Sequence, residues 1–228
     1  MIHQWSYGRL SCYEKCPKQA EFKFIKKIKE PGSPAMDRGK DMHKLCEEYI
    51  RGRFDELPKE LREFEEAFVK LKELHELGQV TCESDWAITK DWDQTGWFDN
   101  DTWGRAKVDA FVYDEGNSKE ARVIDFKTGR YEGNQEAHKE QCELYGGIAL
   151  KRYPELEKII TEMWYLDHGK IDRYIYTQES INIKRDKIHI RAVEMTEATE
   201  FPANPSKWKC KWCYFGKQNM CREKYEEF

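Results

Sequence analysis

The sequence predicts a mixed α/β fold in which helices cover both faces of a central β-sheet. Segments with helical spacing and β-rich segments follow one another along the 228 residues in the order helix, three strands, helix, strand hairpin, helix. No internal repeat or long linker interrupts this order. A chain of this length can bury a substantial core as one unit. We therefore expect a single domain over residues 1–228.

Helical signals occupy the first third of the chain. The stretch "SYGRLSCYEKC" predicts a short helix with Ser6 as its N-cap, which ends before Pro17. Glycine and proline in "EPGSPAMDRG" predict a loop. The stretch "KDMHKLCEEYIRG" has helical spacing and Gly52 as its stop. A second amphipathic helix is predicted from about Lys59 to Leu77.

The β-rich part of the chain comes next. The segments "QVTCESDWAITK", "GRAKVDAFVYD" and "EARVIDFKTG" predict three strands, and "EGNS" predicts the turn between the last two. The acidic, tryptophan-rich "DWDQTGWFDNDTW" is interpreted as a hairpin tip or loop. A helix over "NQEAHKEQCELYGGIALKRY", a hairpin that turns at "DHGK" and a helix from about Glu179 to Thr199 complete the order.

The composition narrows the class of protein. Charged residues make up 36% of the chain and aromatic residues 14%, with eight tryptophans, which indicates a folded protein with a polar surface. A net charge of -4 gives no global sign of nucleic-acid binding, so such a surface must be local. No apolar stretch approaches membrane-spanning length, and "MIHQWSYGRL" lacks the apolar core and small-residue cleavage site of a signal peptide. We expect no membrane partner and an intracellular, cytoplasmic location.

The stretch "VIDFKTGR" places an acid and a base in an apolar strand. Asp125 and Lys127 share one face of that strand, whereas Ile124 and Phe126 point to the other. Alone, such a pair is an ordinary ion pair that contributes little. Asp109 lies among small and apolar residues of the preceding strand, where a buried carboxylate is costly without a cation or a proton.

A histidine on an early helix completes a candidate metal site. His43, Asp109 and Asp125 would suit Mg²⁺ or Mn²⁺, because oxygen ligands favour both ions and the imidazole shifts the balance toward Mn²⁺. Each residue also has a purely structural interpretation, namely a core histidine or an ion pair of Asp109 with a neighbouring base. Glu47 and Glu48 are interpreted as a solvated helix face, although Glu47 lies one turn from His43 and could orient it. Glu83 is a further candidate acid outside the predicted set.

Taken together and in order, these motifs resemble the RecB-like branch of the PD-(D/E)XK nuclease superfamily. This branch includes CRISPR-associated and phage exonucleases, some of them with an iron-sulfur cluster. The matching pieces are "SCYEKCP", "GKDMH", "GRAKVD", "DFKTG" and "QCELY". The resemblance implies a restriction-endonuclease-like core, a mixed β-sheet flanked by helices.

The resemblance also implies residue roles. His43, Asp109 and Asp125 would bind the metal together with the backbone carbonyl of Phe126, and Lys127 would be the catalytic lysine beside Asp109 and Asp125. Gln141 and Tyr145, one helical turn apart, correspond to a motif that borders the DNA channel.

Phosphodiester hydrolysis needs such a site on physical grounds. A phosphodiester repels hydroxide, so a cation must neutralise the phosphate and lower the pKa of the attacking water. The lysine would then either deprotonate and orient that water or place positive charge against the developing phosphorane.

The eight cysteines are unevenly distributed. Core packing explains Cys46, Cys82 and Cys142, which stand alone. The pattern C-x2-C-x7-C in "KCKWCYFGKQNMC" indicates a metal site that lacks a fourth ligand locally. Cys12 and Cys16, one turn apart near the N-terminus, can each supply it.

Iron-sulfur members of the branch take one cysteine from the N-terminus and three from the C-terminus. The resemblance therefore implies a [4Fe-4S] cluster, with Zn²⁺ as the alternative. Residues 1–35 and 200–228 would form this cysteine region and residues 36–199 the nuclease core. The implied ligands are Cys16, Cys210, Cys213 and Cys221, with Cys12 as the substitute for Cys16.

The resulting functional hypothesis is a Mg²⁺- or Mn²⁺-dependent DNA exonuclease of bacterial or phage DNA recombination, repair or metabolism. It would act on single-stranded or duplex ends, and a helicase or recombination partner would supply any unwinding, because the chain has no GxxxxGK[ST] loop. Aromatic and basic residues in "WKCKWCYFGK" and "AEFKFIKKIK" either contact a single strand or pack around the cluster. The alternative is a non-catalytic iron-sulfur or zinc protein that binds DNA or assembles with partners.

Overall fold

The computed structural model describes residues 1–116 and 118–225 and forms two compact units. One unit is Ser33–Asp186, and the other combines Met1–Gly32 with the described residues from Lys187 onward. The predicted division at residues 36 and 199, like the single domain, stays a prediction. No helix among the described residues is long and apolar enough to cross a membrane.

A six-stranded mixed sheet forms the centre of the larger unit. The strands are β1 Val80–Ile88, β2 Gln94–Thr95, β3 Gly104–Tyr113, β4 Glu120–Lys127, β5 Lys158–Tyr165 and β6 Lys170–Thr177. Their order in the sheet is β2-β1-β3-β4-β5-β6, and every neighbouring pair is antiparallel except β4 with β5, which is parallel. A helix, α5 (Gln135–Arg152), connects the two parallel strands.

Helices cover both faces of this sheet. Phe126 and Trp164 pack on one face with buried residues of α3 (Pro34–Ile50) and α4 (Glu65–Glu76). Neighbouring residues of β5, Met163 and Tyr165, pack on the other face with Cys142 of α5 (Gln135–Arg152). Successive residues of a strand point to opposite faces. The α/β fold class predicted from the sequence is confirmed.

Most predicted elements of this unit form close to their predicted bounds. The segment predicted as one helix from Lys59 begins as a 3₁₀ helix, Lys59–Phe64, and continues as α4. The tryptophan-rich segment between the first two long strands contributes β2, which pairs with the end of β1. Asn117, in the predicted "EGNS" turn, lies outside the described residues.

The prediction of a loop over "EPGSPAMDRG" is wrong in its second half. Helix α3 begins at Pro34, and the side chain of its N-cap Ser33 accepts a hydrogen bond from the backbone N–H of Met36. Proline suits the first turn of a helix, because its missing N–H would have no partner there. A proline that follows a serine N-cap therefore begins this helix and does not interrupt it.

The smaller unit is built from short helices. Ser6 caps α1 as predicted, and its side chain accepts from the backbone N–H of Arg9. Phe22 stacks on Phe215 with 4.9 Å between ring centroids, which joins the two ends of the chain. The elements are α1 Tyr7–Lys15, α2 Pro17–Ala20, a π-helix Glu21–Ile25, α7 Lys207–Trp212 and α8 Tyr214–Lys217; α6, Gln178–Glu197, runs across the boundary between the units.

Candidate metal and catalytic centre

Asp109 and Asp125 lie where strands β3 and β4 separate. The ladder between these strands ends at the pair Ala110 and Ile124. Next to it, the backbone N–H of Phe126 donates to Asp109 Oδ2 at 2.7 Å, so a side chain replaces the ladder partner. Asp109 is 7% exposed and Asp125 3% exposed. The sheet therefore holds two carboxylates in an interior where their ionised forms need compensation.

His43 reaches this point from the middle of α3. Its Nδ1 lies 3.1 Å from Asp109 Oδ1, and its ring meets the Phe126 ring edge to face. Burial alone would lower the pKa of His43, but the hydrogen bond to Asp109 and the charges of Asp109 and Asp125 raise it overall. Glu47 pairs with Arg51 at 3.0 Å, and Asp109 is the residue that orients His43.

Lys127 points back toward Asp125, as the alternation along a strand predicts. Lys127 Nζ lies 2.5 Å from Asp125 Oδ2 and donates a hydrogen bond of 3.0 Å to Gln141 Oε1. The contact with Asp125 is an ion pair without hydrogen-bond geometry. Asp125 Oδ2 therefore accepts no hydrogen bond from the described residues. Acid and base thus share one face, while Ile124 and Phe126 pack on the opposite one.

Helix α5 fixes the other oxygen of Asp125. Gln141 Nε2 donates to Asp125 Oδ1 at 3.2 Å, and the Tyr145 hydroxyl donates to the same oxygen at 3.1 Å. Gln141 Nε2 also lies 2.6 Å from the Tyr145 hydroxyl. Tyr145 is only 4% exposed. The pair therefore positions Asp125 and Lys127, a role that the sequence spacing did not indicate, and contact of either residue with DNA stays a prediction.

Glu83 brings a third carboxylate to the site. It lies between Cys82 and Ser84, whose partners across the ladder flank Asp109, and it has a positive φ of 53°. Single ligand atoms of His43, Glu83 and Asp109 all lie within 4.8 Å of one another. A non-glycine residue in this conformation is strained, and such strain concentrates at functional sites. Sequence reasoning left Glu83 outside the set, because a positive φ cannot be read from an ordinary strand pattern.

The chemistry of these groups fits a divalent cation. Burial, and next the charge of Asp125, raise the pKa of Asp109 to about 6, and the hydrogen bonds from His43 and Phe126 offset this only in part. The hydrogen-bond-free Oδ2 of Asp125 is a further buried acceptor. Carboxylate oxygens and one imidazole are suitable ligands for Mg²⁺ or Mn²⁺. A bound cation would offset the cost of burying these carboxylates and would reduce the repulsion between Asp109 and Asp125.

A groove of about 610 Å³ opens onto this cluster. His43, Glu83 and Asp109 form part of its wall, and Lys40, Lys44 and Lys107 add positive charge to it. Lys107 Nζ lies 2.8 Å from a carboxylate oxygen of Glu83. The groove thus combines metal-ligand chemistry with cations that suit a phosphate backbone.

In the smaller unit, four cysteines line one small cavity. The backbone N–H of Asn204 approaches Cys16 Sγ at 3.4 Å, and that of Tyr225 approaches Cys210 Sγ at 3.3 Å. Cys12 is not among the residues that line this cavity. The four are the predicted cluster ligands, Cys16, Cys210, Cys213 and Cys221.

Comparisons with known proteins show the family and the fold of this chain. The family model of the PD-(D/E)XK nuclease superfamily matches residues 4–222. The crystal structure of SSO0001 is 18% identical, with a TM-score of 0.53, and the match covers 99% of this chain and 89% of that chain. A candidate exonuclease from Eubacterium rectale is 13% identical, with a TM-score of 0.54 and coverage of 99% and 91%. The search of curated proteins finds no match. At these identities, the two structures support the fold alone.

Proposed function

Because the chain belongs to the PD-(D/E)XK nuclease superfamily, we propose that it is a Mg²⁺- or Mn²⁺-dependent deoxyribonuclease that acts as an exonuclease at DNA ends. The observation that carries this proposal is the convergence of His43 from a helix and of Asp109, Asp125 and Lys127 from two neighbouring strands. The structural neighbour from Eubacterium rectale is named as a candidate exonuclease.

The metal would be held by His43, Asp109 and Asp125, with the Phe126 carbonyl and Glu83 as further ligands. When bound, a divalent cation neutralises the phosphate and lowers the pKa of a water molecule. Asp109 is held in place by the Phe126 N–H and by His43. The Asp109 carboxylate is therefore oriented before any substrate arrives, which avoids reorganisation during the reaction.

Lys127 would contribute positive charge at the scissile phosphate. Its ammonium is fixed between the Asp125 carboxylate and the Gln141 amide oxygen. Hydrolysis adds a water oxygen to phosphorus and breaks one phosphorus–oxygen bond, so negative charge grows on the phosphate oxygens in the transition state. A pre-positioned ammonium stabilises that charge more than it stabilises the ground state.

The substrate would be single-stranded or duplex DNA at its ends, in recombination, repair or phage DNA metabolism of a bacterial or infected cell. A helicase or recombination partner would supply any unwinding. The lysines along the groove support an anionic polymer as substrate, because each phosphate they neutralise releases counterions.

Digestion of linear and covalently closed circular DNA tests the proposal. With Mg²⁺ or Mn²⁺, the wild-type protein is expected to release nucleotides from end-labelled linear DNA and to leave the circle intact, because an exonuclease needs an end. Gel analysis of both substrates over time, with EDTA as the control, measures this. Cleavage of the circle at the rate of the linear form would indicate an endonuclease, and no cleavage of either would favour the non-catalytic alternative.

We further propose that the cysteine cavity binds a [4Fe-4S] cluster through Cys16, Cys210, Cys213 and Cys221. Zn²⁺ is the alternative, because four cysteine thiolates also suit that ion. The convergence of the four cysteines on one cavity and the backbone N–H groups at two of the sulfurs support a shared metal site.

Substitution of the two N-terminal cysteines separates the candidate fourth ligands. Cys16→Ser is expected to lose most of the iron and the broad visible absorbance of anaerobically purified protein, whereas Cys12→Ser keeps both, because only Cys16 lines the cavity. Metal analysis and the absorbance spectrum give the result. Stoichiometric zinc without iron in the wild type would contradict the [4Fe-4S] assignment. Loss of iron in Cys12→Ser but not in Cys16→Ser would make Cys12 the fourth ligand in place of Cys16.

A further inference from the structure

Helix α7 presents two tryptophans to solvent. Trp208 is 71% exposed and Trp212 is 69% exposed. Trp97 is half-buried, and the five remaining tryptophans of this chain are buried, at exposures between 1% and 7%: Trp5, Trp86, Trp92, Trp103 and Trp164. Packing around the cysteine cavity, one of the two interpretations of this segment, therefore does not account for Trp208 and Trp212. A large aromatic side chain left in water in a chain that buries most of its tryptophans indicates a binding role.

The two rings share one face of the helix. Positions four residues apart lie one turn apart, with about 5–6 Å between their Cβ atoms. Lysines alternate with the tryptophans along the sequence "KWKCKW", and residues 207–217 contain four lysines and no acidic residue, although the whole chain has a net charge of -4. The surface formed by Trp208, Trp212 and these four lysines, called the tryptophan–lysine surface below, is thus locally cationic.

Two of the lysines lie against one ring. Lys211 Nζ is 5.5 Å and Lys217 Nζ is 5.4 Å from the centroid of the Trp212 ring. At an exposed site this attraction is weak, so the ammonium groups can exchange the ring for a phosphate. A base stacked on Trp212 would then have cations beside it for its flanking phosphates.

This pattern matches single-stranded nucleic acid. Unpaired bases expose flat π-faces that stack on aromatic side chains, and phosphates alternate with the bases along the strand. A duplex hides those faces within its own stack. A membrane-surface helix needs a broad apolar face, whereas α7 has only its two tryptophans as large apolar residues, and its cysteine Cys210 lines the cavity.

We propose that the tryptophan–lysine surface binds single-stranded nucleic acid, by stacking of bases on Trp208 and Trp212 and by pairing of phosphates with Lys211 and Lys217. This binding requires no cleavage and no divalent cation. The surface lies in the smaller unit, while the metal and catalytic residues lie in the larger one. Loss of strand binding at this surface and loss of nuclease activity can therefore be measured separately.

Fluorescence anisotropy of a labelled oligothymidine tests the stacking. The measurement uses the Lys127→Ala background without added divalent cation, so that the strand stays intact. Trp208→Ala and Trp212→Ala are each expected to weaken binding about tenfold, since the stacking of one base contributes about 1–3 kcal/mol. Phe98→Ala, which removes another exposed aromatic ring (86% exposed), is the matched control and should leave the affinity unchanged.

The lysines are tested by the salt dependence. The double variant Lys211→Gln/Lys217→Gln is expected to lower the slope of log affinity against log salt by about 1.4, from about 0.7 per phosphate contact on a single strand. Lys70→Gln, at an exposed lysine that pairs with Glu73, is the control. A duplex of equal length should respond to the lysine changes but not to the tryptophan changes.

Two further variants separate stacking from damage to the fold. Trp212→Phe keeps an aromatic face and should retain most of the affinity, whereas Trp212→Leu keeps apolar bulk without that face and should behave like Trp212→Ala. Unchanged oligothymidine affinity in the Trp208→Ala/Trp212→Ala protein would overturn the proposal. Tryptophan-dependent binding to phosphatidylserine vesicles, with no effect on oligothymidine, would assign the surface to membranes instead.

Discussion

Replacing Lys127 with alanine is expected to lower the rate of metal-dependent DNA cleavage by about 100- to 1,000-fold, the usual effect of losing one pre-positioned group that stabilises transition-state charge. The ammonium is fixed on both sides, by Asp125 Oδ2 at 2.5 Å and by Gln141 Oε1 at 3.0 Å. No other lysine makes either contact among the described residues. Initial rates on end-labelled linear DNA at saturating Mn²⁺ give the comparison.

Metal binding separates this effect from a damaged site. Lys127 is a positive charge beside a metal ligand, so the alanine variant should bind Mn²⁺ at least as tightly as the wild type by calorimetry. Lys158→Ala is the matched control, because Lys158 also lies on the sheet but pairs with Glu120 at the opposite ends of β5 and β4. Cleavage by Lys127→Ala at the wild-type rate would contradict the catalytic assignment.

Asp109→Asn is expected to abolish metal binding and cleavage while it stabilises the metal-free protein. Burial and the neighbouring charge of Asp125 raise the pKa of Asp109 from 3.8 to about 6. A raised pKa in the folded state means that folding favours the protonated acid. Stability from this group is therefore complete below about pH 4 and is lost as the pH rises through 6.

The asparagine variant does not titrate and avoids this loss. At pH 7 the metal-free variant should be more stable than the wild type by up to about 3 kcal/mol, from roughly two pKa units at 1.36 kcal/mol each. The difference should vanish near pH 4. Urea unfolding in EDTA at both pH values measures it. Saturating Mn²⁺ should stabilise only the wild type, because ligand binding to the folded state adds to its stability.

Glu83→Gln is the matched comparison for this result. It removes a carboxylate from the same group of ligand atoms, but Glu83 already has the Lys107 ammonium at 2.8 Å. We therefore expect weaker Mn²⁺ binding without the gain in stability at neutral pH. If the metal-free Asp109→Asn protein is less stable than the wild type at pH 7, the ionised Asp109 carboxylate does not destabilise the metal-free fold, and no cation is needed to compensate its charge.

The acidic residues of the site show how far the sequence predicts the positions of side chains. Alternation along β4 is sufficient to point Asp125 and Lys127 to the same face, because strand geometry has a period of two. The meeting of Asp109 with Asp125 depends on the register of two strands, and the resemblance to a nuclease family implied it. The partner of His43 was not predictable in this way. Helical spacing suggested Glu47, but the tertiary contact with Asp109 forms instead.

Conformation and side-chain networks account for the remaining differences. The positive φ of Glu83 belongs to a site where the β1–β3 ladder is interrupted opposite Asp109, and no residue type in the strand signals it. The hydrogen bonds of Gln141 and Tyr145 to Asp125 depend on how α5 packs on the sheet. Periodicity places such residues on a helix face but does not identify the atoms they will meet.

A single Mn²⁺ titration shows whether cleavage depends on the metal held by Asp109. Electron paramagnetic resonance follows the free Mn²⁺, while nucleotide release from linear DNA is measured in the same samples. We expect cleavage to rise along the same curve as the Mn²⁺ bound to the wild type, and both to be lost in Asp109→Asn. Cleavage without bound metal, or tight Mn²⁺ binding by Asp109→Asn, would contradict it.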